Sequence, residues 1–393
     1  MRIGVDATVW ANRRGYGRHA RALLAAALEI DSRNHYVFFV DSEQVAEDLP
    51  PAGDVIRVTA SAPAAEAARS DGRRRLADLW SMSRALSRQD LDCLLFPTVY
   101  SYVPVLSRAY KIVFLHDVIP ELFPGHVFPT IAGRLNWKLK SLLARRQADL
   151  ILTVSEFSRE TILQHFHLPP NRVKVVGEAA DPVFCVLKNP VLSEALRRQG
   201  LEPTQRLLIF VGGFSPHKNL PGLLDAFAAL TPRFDDARLV LVGDYRSDPF
   251  HSCYREIQER AAKPPLEGRV ILAGYLPDED LAGLLNLGTA LVLPSFMEGY
   301  GLPAIEAAAC GLPVVATNSS PLPQLLGEGG LYIDPYDPAA FEEVLERVLT
   351  EPALRCRMRE HGIRATAALS WKRAAAELLA VFDQVAQLHA QAA

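Results

Sequence analysis

Ala290-Leu291-Val292-Leu293 runs straight into Pro294-Ser295-Phe296-Met297-Glu298-Gly299-Tyr300-Gly301-Leu302-Pro303-Ala304-Ile305-Glu306-Ala307. The apolar residues, with no polar alternation, predict a strand buried on both faces. The Gly-containing stretch behind them predicts a loop. Pro303 then suits the first turn of a helix, where its missing N–H would be unpaired anyway. Gly299 and Gly301 let the backbone approach a ligand closely, and the N–H groups at the helix start favour an anion or polar ligand. Glu298 lies on the loop and Glu306 within the first helical turns. Ionised carboxylates only accept hydrogen bonds and sugars supply donors, so the pair suits a polyhydroxylated ligand.

The same strand–helix unit recurs in both directions. Upstream of the linker, strands are predicted over Arg2–Val5, Tyr36–Val40, Asp92–Phe96, Lys111–Leu115, Leu150–Val154 and Val173–Val176. The first of several helices between them spans His19–Glu29. Residues Asp181–Thr204, with three prolines and one short helix, read as an interdomain linker. The pattern then restarts over Leu207–Val211, Arg238–Val242, Val270–Leu272, Ala290–Leu293 and Pro313–Ala316. Alternating strands and helices build doubly wound parallel sheets. The predicted fold is therefore α/β, with two Rossmann-like domains facing across a cleft. Residues 1–183 form the first, 184–205 the linker and 206–370 the second. The last helix, 371–393, packs back on the first domain. Ligands of such sheets bind outside the carboxyl ends of the strands.

Composition sets limits. Of the 393 residues, 49% are hydrophobic and 22% charged, a globular balance. A net charge of −3 excludes a global attraction for nucleic acid. Residues 1–185 carry an excess of +3 and the remainder −6, so the first half is the better match for an anionic partner. Five cysteines at non-ligating spacings read as reduced thiols of a cytoplasmic protein. The first residues do not read as a signal peptide, and no apolar run reaches the ~20 residues of a membrane span.

Other segments also fall at strand ends. Gly15 and Gly17, after the first strand, permit tight turning beside a diphosphate. His116 and Asp117 end the strand 111–115. Ser155 reads equally as a helix cap and as a ligand contact. Lys218, in Gly212-Gly213-Phe214-Ser215-Pro216-His217-Lys218-Asn219, sits at a helix start that disfavours a cation, which points to a bound anion.

Pro294–Ala307 resembles the E-x7-E motif of the retaining glycosyltransferases of family 4, which have the GT-B fold. The resemblance runs in order from Gly15 to Trp371. It implies that Glu298 lies by the donor sugar hydroxyls and Glu306 on the nucleotide ribose. Ser295, Gly299, Tyr300, Gly301 and Leu302 then belong to the donor site. Gly15 and Gly17 match the family's Gly-x-Gly-Arg loop. His116 contacts substrate beside the donor, with Asp117 orienting it. Ser155 matches a turn at the cleft. Lys218 binds the diphosphate, and Leu276 lies on the base face. The sequence departs from the family at Gly213, where an arginine is usual; His217, Arg13, Arg14 and Arg18 are candidates to supply that charge.

The resemblance implies hexosyl transfer from a nucleotide-diphosphate sugar, GDP-mannose by choice, to a saccharide or lipid-linked saccharide acceptor. No metal is implied, because no Asp-x-Asp stands at a plausible site, and no cofactor beyond the donor substrate. The catalytic set is Glu298, His116 and Lys218. A nucleotide-sugar epimerase on the same fold and a non-catalytic nucleotide-sugar-binding scaffold are the competing readings. The helix 133–148 is expected to bury Leu135, Leu139, Leu142 and Leu143. Its basic side is read as solvated, with a peripheral membrane contact as the sharper alternative.

Overall fold

In the computed structural model, which describes residues 1–12, 15–61, 75–244 and 251–392, every strand pair is parallel. The first sheet takes β1 (Arg2–Asp6), β2 (His35–Val40), β3 (Asp54–Arg57), β4 (Cys93–Phe96), β5 (Tyr110–Phe114), β6 (Leu150–Thr153) and β7 (Val173–Val175). Its spatial order is β3-β2-β1-β4-β5-β6-β7. The second takes β8 (Arg206–Val211), β9 (Ala237–Val242), β10 (Val270–Gly274), β11 (Ala290–Leu293), β12 (Val314–Thr317) and β13 (Gly330–Ile333), ordered β10-β9-β8-β11-β12-β13. Each is a doubly wound sheet whose order reverses once, between β1 and β4 and between β8 and β11. At such a reversal the helices leave on opposite faces and open a crevice at the carboxyl edge.

The central strands are continuous apolar runs because helices cover both faces. Residues of β2 such as Phe38 and Phe39 are fully buried, as are Leu208, Ile209 and Phe210 of β8. The sequence reading did not include β3 and β13. Both are edge strands, where one side lacks a partner and continuous hydrophobicity is not required. Asp54 and Arg57 bracket two apolar residues in β3, and β13 opens on glycine.

The chain divides into two compact units, residues 1–178 with 371–393, and residues 179–370. The segment 184–205 belongs to the second unit, where Leu192, Leu196 and Leu201 are buried. The helix Trp371–Ala392 lays Ala375, Leu378 and Phe382 into the first unit's core, against Leu23, Leu24 and Ala27 of the helix Gly15–Ile30. Glu377 of the last helix also accepts from the Gly177 N–H at 3.1 Å.

The helix Ile131–Gln147 corrects an expectation. Its buried residues are Trp137, Ser141 and Ala144, not the leucines. Leu135 and Leu139 are 60% and 58% exposed. The docking is polar: the Trp137 indole N–H and the Ser141 hydroxyl both donate to Glu121 Oε1 at 2.9 Å. Burial raises the Glu121 carboxyl above its usual range, and these two donors oppose that rise. Periodicity alone reads leucines as inward; here Trp137, Ser141 and Ala144 take the inner face, with the Trp137 ring against Tyr100 and Phe128.

Candidate functional site

In the second unit, the stretch Ala290–Ala307 folds as strand, loop and helix. β11 ends at Leu293, and the helix begins at Leu302 with Pro303 in its first turn. Gly301 caps it at φ 82°, and a Cβ there would meet Leu322 Cδ1 at 2.9 Å, so glycine is required on both counts. The loop is tied down at two points. Phe296 N–H donates to His217 O at 2.9 Å and Glu298 N–H to Ser319 O at 3.1 Å. The first of these fastens it to the turn that follows β8. That turn, Pro216–Lys218, ends on Asn219 in the left-handed region, a conformation asparagine tolerates.

These ties bring Lys218 and Glu298 together. Lys218 Nζ lies 2.8 Å from Glu298 Oε1, and Ser295 Oγ donates to the same oxygen at 2.5 Å. Glu298 is 7% exposed and Glu306 2%. Buried carboxylates persist only when paired or hydrogen-bonded, and Glu298 has both kinds of support. Ser295 is fully buried and its hydroxyl is committed to Glu298, so it positions that carboxylate. Gly299 and Tyr300 are buried and Leu302 half-buried. Gly213 is half-buried at the carboxyl edge of β8. Leu276 is buried ahead of the helix Asp278–Leu287, whose acidic first turn matches the helix dipole.

The first unit holds the remaining predicted residues. Gly15 and Gly17 are not in a loop but in the first turn of the helix Gly15–Ile30. A Cβ on Gly17 would fall 2.0 Å from Asn12 O, so this helix start packs directly on the loop after β1. Arg21 binds that loop as well, donating to the carbonyls of Trp10 and Asn12. Arg13 and Arg14 lie outside the described residues. Asp117 Oδ1 accepts the Ile119 N–H at 2.8 Å, a turn that starts the next helix. Ser155 caps the helix Glu156–Phe166 by accepting from Ser158 N–H at 3.0 Å.

His116 Nε2 lies 3.1 Å from Pro97 O. A carbonyl can only accept, so Nε2 carries the proton and Nδ1 is the acceptor of the neutral ring. Burial, then the neighbouring His19 imidazole, push the His116 pKa down to about 4, which keeps it neutral. Beside it stand His19 and Glu178, with His19 Nδ1 2.8 Å from Glu178 Oε1. Sequence reading named neither. His19 reads in sequence only as the start of an apolar helix, and Glu178 follows β7 with no motif of its own.

Comparison with known proteins covers both units. Residues 14–183 match the family described as Glycosyltransferase Family 4, and residues 193–365 match the glycosyl transferases group 1. The chain belongs to glycosyltransferase family 4. Within the family, an O-antigen chain mannosyltransferase B of Escherichia coli is 32% identical over 57% of this chain and 58% of its own. A D-inositol 3-phosphate glycosyltransferase of Corynebacterium glutamicum is 28% identical over 60% of this chain and 57% of its own. The serotype-specific mannosyltransferase WbdA of Escherichia coli is 26% identical over 69% of this chain but 33% of its own. The chain thus spans roughly a third to three-fifths of these relatives. Its fold is GT-B. A sucrose-phosphate synthase from Thermosynechococcus elongatus superposes with a TM-score of 0.75 at 18% identity, covering 99% of this chain and 100% of that one. WaaG, a glycosyltransferase involved in lipopolysaccharide biosynthesis, gives 0.71 at 16% identity, covering 96% and 98%.

Proposed function

We propose that this family 4 chain is a retaining hexosyltransferase. It moves mannose, or a sugar like it, from GDP-mannose to a saccharide or lipid-linked saccharide during surface-glycan synthesis in the cytoplasm. The observation that carries this reading is the Lys218–Glu298–Ser295 cluster at the carboxyl edge of β8 and β11, with Glu306 buried in the adjoining helix. The names of two relatives, both mannosyltransferases, favour the sugar.

In this reading the bond from the anomeric carbon to the diphosphate breaks, and the nucleoside diphosphate leaves with the electron pair. The acceptor oxygen bonds the same face of that carbon and gives up its proton to the departing diphosphate. Charge builds on the phosphates while the sugar becomes cationic. Lys218 meets the first change and Glu298 the second. Ser295 holds Glu298 in place. Glu306 accepts from the ribose hydroxyls, and His116 Nδ1 accepts from a hydroxyl of the bound sugar. The lysine and backbone N–H groups supply the positive charge, so no divalent ion is assigned a role.

A thermal-shift panel of GDP-, UDP-, dTDP- and ADP-sugars tests the reading, because a ligand that binds only the native state must raise Tm. GDP-mannose should stabilise the wild type and fail with Glu306→Ala. No shift with any donor at millimolar concentration would sink the nucleotide-sugar reading and favour the scaffold. Turnover of donor without acceptor would favour the epimerase.

A lipid-linked acceptor agrees with one surface of the first unit. Ile131, Leu135 and Leu139 form an exposed stripe along one helix, with Lys138 and Arg146 exposed on the same helix. No helix among the described residues is long and apolar enough to cross a membrane. An apolar stripe with basic neighbours suits the surface of an anionic bilayer. Co-sedimentation with anionic vesicles should be strong at low salt and fall with Leu135→Glu; equal sedimentation of wild type and variant would remove this contact.

A further inference from the structure

Three titratable groups meet in the first unit. His19 is 1% exposed and Glu178 8%, and their Nδ1 and Oε1 atoms are 2.8 Å apart. The contact is close but not aligned as a hydrogen bond, so it is chiefly electrostatic. The His19 ring stands steeply tilted to its aromatic neighbours. It meets His116 at 4.9 Å and 83°, Phe114 at 4.9 Å and 68°, and Trp371 at 5.9 Å and 68°. Phe114 and Trp371 are apolar supports; His116 is the ring proposed to face the sugar. His116 is itself held at two further points, by Nε2 on Pro97 O and by its carbonyl, which accepts from Thr153 Oγ1 at 3.1 Å.

A buried carboxylate beside a buried imidazole is costly to keep unless the arrangement is used. Side-chain nitrogens and oxygens of all three residues lie within 4.8 Å of one another, a spacing that a metal ion also accepts. Two features favour a hydrogen-bonded and electrostatic cluster instead. His116 Nε2 is already committed to a carbonyl. The 2.8 Å approach of His19 to Glu178 is also closer than the about 3.3 Å between two atoms on one tetrahedral ion with ~2.0 Å bonds.

We propose that Glu178 and His19 are positioning residues for His116: the carboxylate fixes the His19 ring, and that ring fixes the plane of His116, which keeps Nε2 on Pro97 O and so keeps the tautomer this carbonyl sets. This rests on the assignment of His116 to the donor sugar given above. The residues come from three separate places, the inner face of the first helix, the end of β5 and the end of β7, and only the topology joins them. Neither Glu178 nor His19 need touch the substrate to affect the reaction.

Two variants separate positioning from mere structure. His19→Phe keeps an aromatic ring but loses the carboxylate contact, and Glu178→Gln keeps the shape but loses the charge. The first readout needs no substrate: long-range nitrogen–proton correlation of the histidine rings in the full chain. Wild-type His116 should show one tautomer, protonated at Nε2, and both variants should show an averaged ring. An unchanged His116 signature in both would overturn the proposal, whatever the enzyme does. The second readout is GDP-mannose turnover. In both variants kcat should fall roughly tenfold or more, with KM for donor nearly unchanged. Glu178→Asp should recover part of it. A rise in KM with kcat unchanged would overturn positioning. So would one equivalent of a transition metal in the purified wild type that is lost in His19→Phe, since the trio would then be a metal site. If the wild type leaves GDP-mannose untouched, it is the functional reading that fails, and the ring spectra still decide the tautomer question.

Discussion

The two units hold their candidate residues in opposite ways. In the second, the residues that meet are carried by two strand–loop–helix turns, and Ser295 and Glu298 are three positions apart on one of them. In the first, His19, His116 and Glu178 are 62 to 159 positions apart in sequence and meet only because β1, β4, β5 and β7 end along one edge. A site built on a local turn can be recognised as a motif. A site built by topology leaves isolated residues that resemble ordinary core.

That contrast can be broken or sharpened by experiment. The largest effect expected is on stability. Phe382→Ala removes a fully buried ring from the first unit's core and should cost about 3–5 kcal/mol there. Hydrogen exchange should show protection lost in residues 1–178 and kept around β8 and β11; uniform loss would mean that the units do not open separately. Next comes Lys218→Ala. It should lower the rate of transfer roughly 10²–10³-fold, as for loss of a charged donor to a developing anion, and lower Tm as well, because the buried Glu298 loses its charge partner. A fall confined to stability would mean that Lys218 serves only the Glu298 pair.

Ser295→Ala should be milder. Losing a hydrogen bond to a buried charged group costs about 1.5–3 kcal/mol, read as a lower urea midpoint. If the second unit's site is truly one local assembly, the transfer rate should drop in the same variant. The smallest effect concerns pH. The folded-state pKa of His116 is lowered to about 4 from 6.5, so the unfolded chain binds the extra proton between those values. Stability of the wild type should therefore fall as pH drops from 6.5 towards 4. Denaturation midpoints of His116→Phe should fall less over the same range, and parallel curves would contradict the shift.

Much of the fold was legible because continuous apolar runs mark central parallel strands, and β11 was read to its exact ends. Two of the four edge strands, β3 and β13, were not, since Asp54–Arg57 and Gly330–Ile333 lack that pressure. The first helix begins four residues earlier than its apolar periodicity suggests, with Gly17 inside it letting its backbone close up on Asn12. Helical periodicity also misassigned Leu135 and Leu139, since Trp137 and Ser141, tied to Glu121 by hydrogen bonds and, for Trp137, to aromatic rings, set the inner face. At the candidate site, the Gly-rich loop and its glutamates were readable. The commitment of the Ser295 hydroxyl to Glu298, and the meeting of His19 with Glu178, depend on distances that sequence order does not encode.

The helix Trp371–Ala392 closes a core that begins at residue 1, while residues 179–370 form a unit with an unbroken chain. During synthesis, then, the first part made is the last to be finished. The strands of the first sheet leave the ribosome with the face meant for Phe382 and its neighbours uncovered. They must wait through the translation of an entire second domain. That interval, at about 5–20 residues per second, lasts on the order of ten seconds or more, time in which an unfinished apolar face is open to chaperones or to other nascent chains.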